Sequence, residues 1–249
     1  MSNVLLMTGT INPSSFIGSN NNLAVKDVKV RLGQYNTAIK RYITESCFDK
    51  IVFVETSNYS FEYESFSTLA KDYNKEFEYI TFMGNIECVQ KKGKSYGEAE
   101  AILYALENSR LLADEETIYK VTGRIFLTNS YNIIKTKNIC KNEFLSYLKY
   151  KDRRCVTYFF KFNKSDYLEY FSNTQELVDD GNGIDIETVY YRKMIKLQMD
   201  GKPFEVKPFK CYPRINGIIG GIGVPYDKSK LFYFIEDIMI KLNFFTISE

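Results

Sequence analysis

A chain of 249 residues is long enough for one large domain that buries roughly three-quarters of its unfolded surface, so its core needs neither disulfides nor a structural metal. With 33 Lys+Arg against 31 Asp+Glu the net charge is +2, which argues against the broad basic field of a dedicated nucleic-acid binder. Histidine is absent, which removes Ser-His-Asp and Cys-His nucleophiles, His-ligated zinc and imidazole proton shuttles together.

In chain order, the apolar run at residues 4–7 closed by Thr8-Gly9-Thr10 predicts a buried strand, and with no basic leader before it the N-terminus is expected to be a strand and no signal peptide. Tyr35, Ala38, Ile39, Tyr42 and Ile43 recur at helical spacing, and residues 51–54 give a second buried strand that ends in the polar turn Glu55-Thr56-Ser57-Asn58. A third strand spans 79–83 and ends at Gly84-Asn85. Ser95-x-x-Glu98 has the form of a capping box, opening a helix whose apolar face is Ala101, Ile102, Ala105, Leu106 and Leu112. The fourth strand, 117–121, runs into Thr122-Gly123-Arg124. This β-α-β alternation predicts an α/β fold with a mixed, mostly parallel central sheet flanked by helices.

The second half is less regular. Residues 156–162 read as a strand, 179–183 as a turn, 186–197 as a helix, 214–226 as a glycine-containing loop and 231–245 as an apolar closing helix. No repeat, low-complexity tract or Pro-rich linker divides the chain, so a single domain over 1–249 is expected. The five cysteines, Cys47, Cys88, Cys140, Cys155 and Cys211, form no C-x-x-C pair and read as buried thiols of a reducing cytoplasm. No stretch reaches the roughly 18 apolar residues of a membrane span. The closing helix is expected to pack in the core, with a homodimer contact or shallow docking on the inner face of the membrane as its alternative uses.

In open sheets ligands sit beyond the carboxyl ends of the strands, where Thr8–Thr10, Glu55–Ser57 and Thr122–Arg124 converge. Lys120 and Arg124 are two cations at one strand end. They suit the charge that grows on a departing diphosphate, and the bland alternative is a salt-bridged pair. Glu98 either closes its capping box or accepts from a sugar hydroxyl. Lys94, one residue before that cap, reaches a phosphate or solvates a loop. Without histidine a general base must be Asp, Glu, Lys, Tyr or Cys. Glu187 is the candidate, against the reading that Asp185 caps a helix and Glu187 is its first-turn charge. Asp185-Ile186-Glu187 and Asp114–Glu116 are the nearest approaches to a metal motif, the latter at the wrong end of its strand. Arg31 and Arg153 are weaker candidates for phosphate or acceptor contact. Arg214 with Gly217, Gly220, Gly221 and Gly223 forms either a mobile lid or an ordinary turn. Tryptophan is also absent, so a sugar ring would stack on Tyr or Phe.

The order of an N-terminal apolar strand, a strand ending in Glu55-Thr56-Ser57, the helix start Lys94-Ser95-Tyr96-Gly97-Glu98-Ala99-Glu100 and Tyr119-Lys120-Val121-Thr122-Gly123-Arg124 resembles bacterial cell-surface (capsule or O-antigen) polysaccharide glycosyltransferases of the GT-A type. The likeness covers roughly the first 130 residues and implies that 1–130 is the nucleotide-sugar half and 131–249 the acceptor half. It implies that Glu55–Ser57 holds the base and ribose, and that Lys120–Arg124 occupies the place where such enzymes carry the metal-holding Asp-x-Asp. No strict Asp-x-Asp exists in this chain. The implied protein is a metal-independent, inverting transferase with no cofactor, whose nucleotide-sugar donor is held by Thr8, Gly9, Thr10, Glu55 and Ser57 at the nucleoside. Lys120 and Arg124 hold its diphosphate, and Arg31, Lys94, Glu98 and Thr122 line the donor pocket. Its acceptor would be a glycan or lipid-linked glycan, with no nucleic acid as partner, and its location cytoplasmic or peripheral at the inner membrane face. The rival readings are a nucleotidyltransferase that makes the activated sugar and a non-catalytic sugar- or protein-binding module. One glycine and no basic residue in 8–14 count against the former.

Overall fold

The computed structural model describes residues 2–17, 25–136, 140–147, 153–218, 226 and 228–248. Its first half alternates strand and helix: β1 (Val4–Gly9), α1 (Val28–Glu45), β2 (Lys50–Glu55), α2 (Glu64–Asp72), β3 (Glu76–Thr81), α3 (Ile86–Lys92), α4 (Lys94–Asn108) and β4 (Thr117–Thr122). The second half follows as β5 (Ile125–Leu127), α5 (Ser130–Lys135), β6 (Asn142–Glu143), β7 (Phe159–Asn163), α6 (Lys164–Tyr170) and α7 (Thr174–Leu177). It continues through α8 (Ile186–Met199), β8 (Val206–Lys207) and β9 (Ile215–Gly217) to α9 (Lys230–Lys241).

Among the described residues seven strands form one sheet in the order β3-β2-β1-β4-β7-β6-β8. The first four are parallel, and β7 runs against both β4 and β6. This is the mixed, mostly parallel sheet flanked by helices that the alternation of elements implies. Register brings the carboxyl ends level, pairing Gly9 with Glu55, Glu55 with Thr81 and Thr8 with Thr122. A separate antiparallel pair, β5 with β9, lies past the end of β4.

Side chains of a strand alternate between faces, and each face has its own core. Leu5, Met7, Ile51, Phe53, Tyr119 and Val121 pack against Tyr35, Ile39, Tyr42 and Ile43 of α1. Val4, Leu6, Val52, Val54, Ile118 and Phe160 pack against Ala101, Ile102 and Ala105 of α4 and Tyr190 and Met194 of α8. Lys120 pairs in register with Leu6 and Phe160, so it points into the second face, toward α4.

Several boundaries differ from the sequence expectation. The third strand is Glu76–Thr81 and the strand after residue 150 is Phe159–Asn163. The expected capping box is replaced. Helix α4 begins at Lys94 behind Gly93, whose φ of 98° is open to glycine, and the Asp180 carboxylate accepts from Ser95 N at 3.2 Å. A Cβ on Gly93 would lie 2.3 Å from that carboxylate, so the turn at 179–183 and the start of α4 fit only around a glycine. Part of the expected loop at 214–226 is strand β9, while Gly220, Gly221 and Gly223 lie outside the described residues. No helix among the described residues is long and apolar enough to cross a membrane.

Candidate functional site

A cavity of about 310 Å³ opens at the carboxyl ends of β1, β2 and β4. Its floor is Thr8, Gly9, Thr10, Thr56 and Thr122. The floor is tight against α1: a Cβ on Gly9 would come within 2.5 Å of the Tyr35 ring and 2.8 Å of Phe53. The Tyr35 hydroxyl accepts from Thr10 N at 3.0 Å, and the Thr10 and Thr56 hydroxyls bond each other at 2.6 Å.

Two arginines form one wall. Arg31, 4% exposed, donates through Nε to Thr10 O at 2.7 Å, through Nη1 to Val25 O at 3.1 Å and through Nη2 to the Tyr35 hydroxyl at 3.3 Å. Arg124, 8% exposed, donates to Gln34 Oε1 at 3.0 Å. Gly123 carries the chain over the end of β1, where a Cβ would lie 2.8 Å from Thr8 O, and this turn delivers Arg124 to the α1 side. Among the described residues neither guanidinium has a carboxylate partner, and both line the cavity. Burial lowers the Arg124 pKa, and the charge of Arg31 lowers it further. Two buried like charges that repel each other are costly unless an anion joins them.

The facing wall comes from the first turns of α4 and α8. Lys94, Ser95, Gly97 and Glu98 line it from α4, and Ile186 and Glu187 from α8, while Ser95 Oγ accepts from Ile186 N at 3.2 Å and ties the two helix starts together. Lys120 is fully buried beneath them, ion-paired to Glu98 and donating to Thr157 O at 3.1 Å. Thr157 Oγ1 in turn donates to Glu187 Oε1 at 2.8 Å. Burial raises the Glu187 pKa above its ordinary value, and the charges of Asp185 and Glu98 raise it further. Asp185 itself caps α8, accepting from Thr188 N at 3.0 Å, and pairs with Arg154 at 3.0 Å.

The strand end therefore does not bring Lys120 and Arg124 together. Alternation along β4 sends Lys120 under α4, and the turn at Gly123 sends Arg124 to the other face. Glu98 closes no capping box; its partner is Lys120. Glu55 and Ser57 do not line the cavity either. Glu55 is fully buried and accepts from Ile11 N at 2.8 Å, Ser57 N at 3.0 Å, Tyr59 N at 2.9 Å and Thr81 Oγ1 at 2.9 Å, as well as from the Ser57 hydroxyl. That carboxylate fastens the loops after β1 and β2, and Thr56 between the two residues faces the cavity instead. Arg153 lies apart, in a basic groove along α8 with Arg154, Arg192 and Lys196.

Sequence reasoning missed the ends of the cavity. One end is Pro13, Phe16, Gly84, Val89 and Glu100. Glu100 accepts from Asn85 N at 3.1 Å and has its pKa raised by burial. The other end holds Tyr147, Tyr158 and Tyr226, where burial raises the pKa of Tyr147 and Tyr226 and the charge of Glu187 adds to it. Among the described residues no three of His, Cys, Asp and Glu gather as metal ligands.

No family model and no curated protein matches the chain. Among solved structures it is similar to the glycosyltransferase GlyE of Streptococcus pneumoniae TIGR4, at a TM-score of 0.48 and 9% identity over 83% of this chain and 45% of that one. The apo form of GlyE gives the same values. A putative glucose-1-phosphate thymidylyltransferase from Bacillus anthracis, in complex with a sucrose, matches at a TM-score of 0.43 and 11% identity, over 87% of this chain and 89% of that one. This chain thus spans less than half the length of GlyE. Similarity this distant carries nothing about chemistry.

Proposed function

We propose that the protein is a glycosyltransferase that moves a sugar from a nucleotide-sugar donor to a glycan or lipid-linked glycan acceptor of a bacterial surface polysaccharide. The observation that carries this reading is the buried pair Arg31 and Arg124, which have no carboxylate partner among the described residues and face a cavity whose opposite wall holds Glu98 and Glu187. An anionic leaving group meets the first wall and a hydroxyl to be deprotonated meets the second. The reading assigns the diphosphate to the guanidiniums and to the floor at Thr8–Thr10, in the role that a bound divalent ion often takes. The nucleoside goes to the end formed by Phe16, Thr56 and Glu100, and the acceptor to the tyrosine end.

In the proposed step the Glu187 carboxylate takes the proton of the acceptor hydroxyl, whose oxygen bonds to the anomeric carbon from the face opposite the diphosphate. The bond from that carbon to the diphosphate oxygen breaks, its electron pair leaves with the nucleoside diphosphate, and the configuration inverts. The guanidiniums favour the transition state because the charge they face increases as that bond breaks. Raised basicity suits Glu187 to the task. Lys120 acts as a positioning residue: it fixes Glu98 and, through Thr157, the orientation of Glu187.

Incubation of the protein with a panel of sugar nucleotides in EDTA tests the proposal. Release of nucleoside diphosphate from one donor, persisting in EDTA, is the expected result. Release of pyrophosphate from a nucleoside triphosphate plus a sugar phosphate would establish the nucleotidyltransferase instead, and absence of nucleotide binding by calorimetry would leave a binding module.

A further inference from the structure

Helix α9 is built inside out. Leu231, Phe234, Ile235, Ile238 and Leu242 recur at i, i+3, i+4, i+7 and i+11, the spacing of one apolar stripe, yet they are between 40% and 66% exposed. The acids of the same helix face the protein. Asp237 pairs with Arg214 at 2.8 Å and accepts from Tyr212 N at 2.7 Å, and Glu236 pairs with Lys228. Ile240 is buried, and the Tyr233 hydroxyl donates to Ile215 O at 3.2 Å, so the polar and aromatic side is the anchored one. Lys230 and Lys241 are exposed at the two ends of the stripe. Phe232, and Phe244 just past the helix, add further exposed apolar surface.

We infer that this face docks on an anionic lipid surface. An apolar stripe edged by lysines, with its carboxylates turned away, is the charge pattern of a helix that lies in the headgroup region. A second copy of the chain is a poorer occupant. In an antiparallel two-fold contact the stripe meets itself with Lys230 of one copy beside Lys241 of the other, and no carboxylate of α9 is free to separate them. The contact also has a consequence for the cavity. Asp237 and Tyr233 hold the segment 212–215, which leads into β9 and on to Ile218 in the cavity wall, so docking ties the cavity to the membrane plane.

Co-sedimentation with vesicles tests the inference without reference to catalysis, so its failure is separable from failure of the transferase reading. The protein is expected to bind vesicles of phosphatidylcholine mixed with phosphatidylglycerol and to bind pure phosphatidylcholine far more weakly. Phe234→Ser and Ile238→Ser should each lower partitioning by about tenfold, because a large apolar side chain no longer leaves water. Lys230→Glu with Lys241→Glu should abolish the preference for anionic lipid. The exposed positions leave the fold intact, which circular dichroism verifies. Equal binding to both vesicle types, or none to either, overturns the inference. So does a dimer in light scattering that Phe234→Ser converts to a monomer.

Discussion

Burial of the Arg124 charge is costly, and no carboxylate among the described residues offsets it. Its partner Gln34 is neutral and half-buried, and Arg31 beside it carries the same charge. Removing such a charge relieves its desolvation, so Arg124→Met should keep or raise stability in urea while weakening diphosphate binding at least tenfold, about 1.4 kcal/mol. A loss of several kcal/mol of stability in that variant would make Arg124 a structural residue. Glu187 has the opposite electrostatics. Its folded pKa lies above the ordinary 4.5, so between those two values the native state holds more protons than the unfolded chain. The contribution of this group to stability is therefore full below pH 4.5 and is lost as pH rises through the folded value. Glu187→Gln should remove that fall, leaving the protein at least as stable at neutral pH while transfer drops and donor affinity holds. In the unsubstituted protein the acid limb of the rate profile should lie above the ordinary carboxylate range. Normal transfer by Glu187→Gln would require another base. The residue types of this chemistry are readable in sequence, since the absence of histidine narrows the base to Asp, Glu, Lys, Tyr or Cys. Their partners are not, because Lys120 and Glu98 meet across a sheet and a helix.

At the scale of elements, β1 and α1 meet through Gly9 and Tyr35, and the contact leaves no room for a methyl group. Gly9→Ala must push the Tyr35 ring, which holds both Thr10 and Arg31. It should cost roughly 1–3 kcal/mol in denaturant unfolding and also weaken donor binding. Wild-type stability in this variant would show that Tyr35 can yield. Strands β1, β2 and β4 are legible from their apolar runs because they are buried on both faces, and α1 and α4 from a 3.6-residue period, whereas β3 at the sheet edge is only partly buried and the short helices α2 and α3 went unread. The start of α4 is not legible either, because its cap is supplied by Asp180 from a turn 85 residues away. Strands β6 and β8, two residues each, are too short to carry any period. Helix α9 shows the limit of amphipathic reading: its pattern identifies the apolar face but does not say whether that face turns inward.

Over the whole molecule, parallel register levels the strand ends, and that alignment places the cavity where composition and topology together suggest. The convergence of Thr8–Thr10 with Thr122–Arg124 follows from it, whereas the exclusion of Glu55 follows from the number of backbone amides it must satisfy. A cavity walled on one side by two buried guanidiniums, with no carboxylate partner among the described residues, should gain stability from the matching anion. At a hundredfold excess over its dissociation constant, a nucleoside diphosphate should add about 2.7 kcal/mol to unfolding free energy, and the nucleoside at the same concentration far less. Equal stabilisation by both would move the recognition to the base.

The most direct test of the guanidinium pair is calorimetric titration of nucleoside diphosphates in EDTA, comparing the unsubstituted protein with Arg31→Ala and Arg124→Ala. The account predicts binding without a divalent ion, weakened at least about tenfold in each variant. Binding that demands manganese or magnesium and is unchanged in both variants would contradict it.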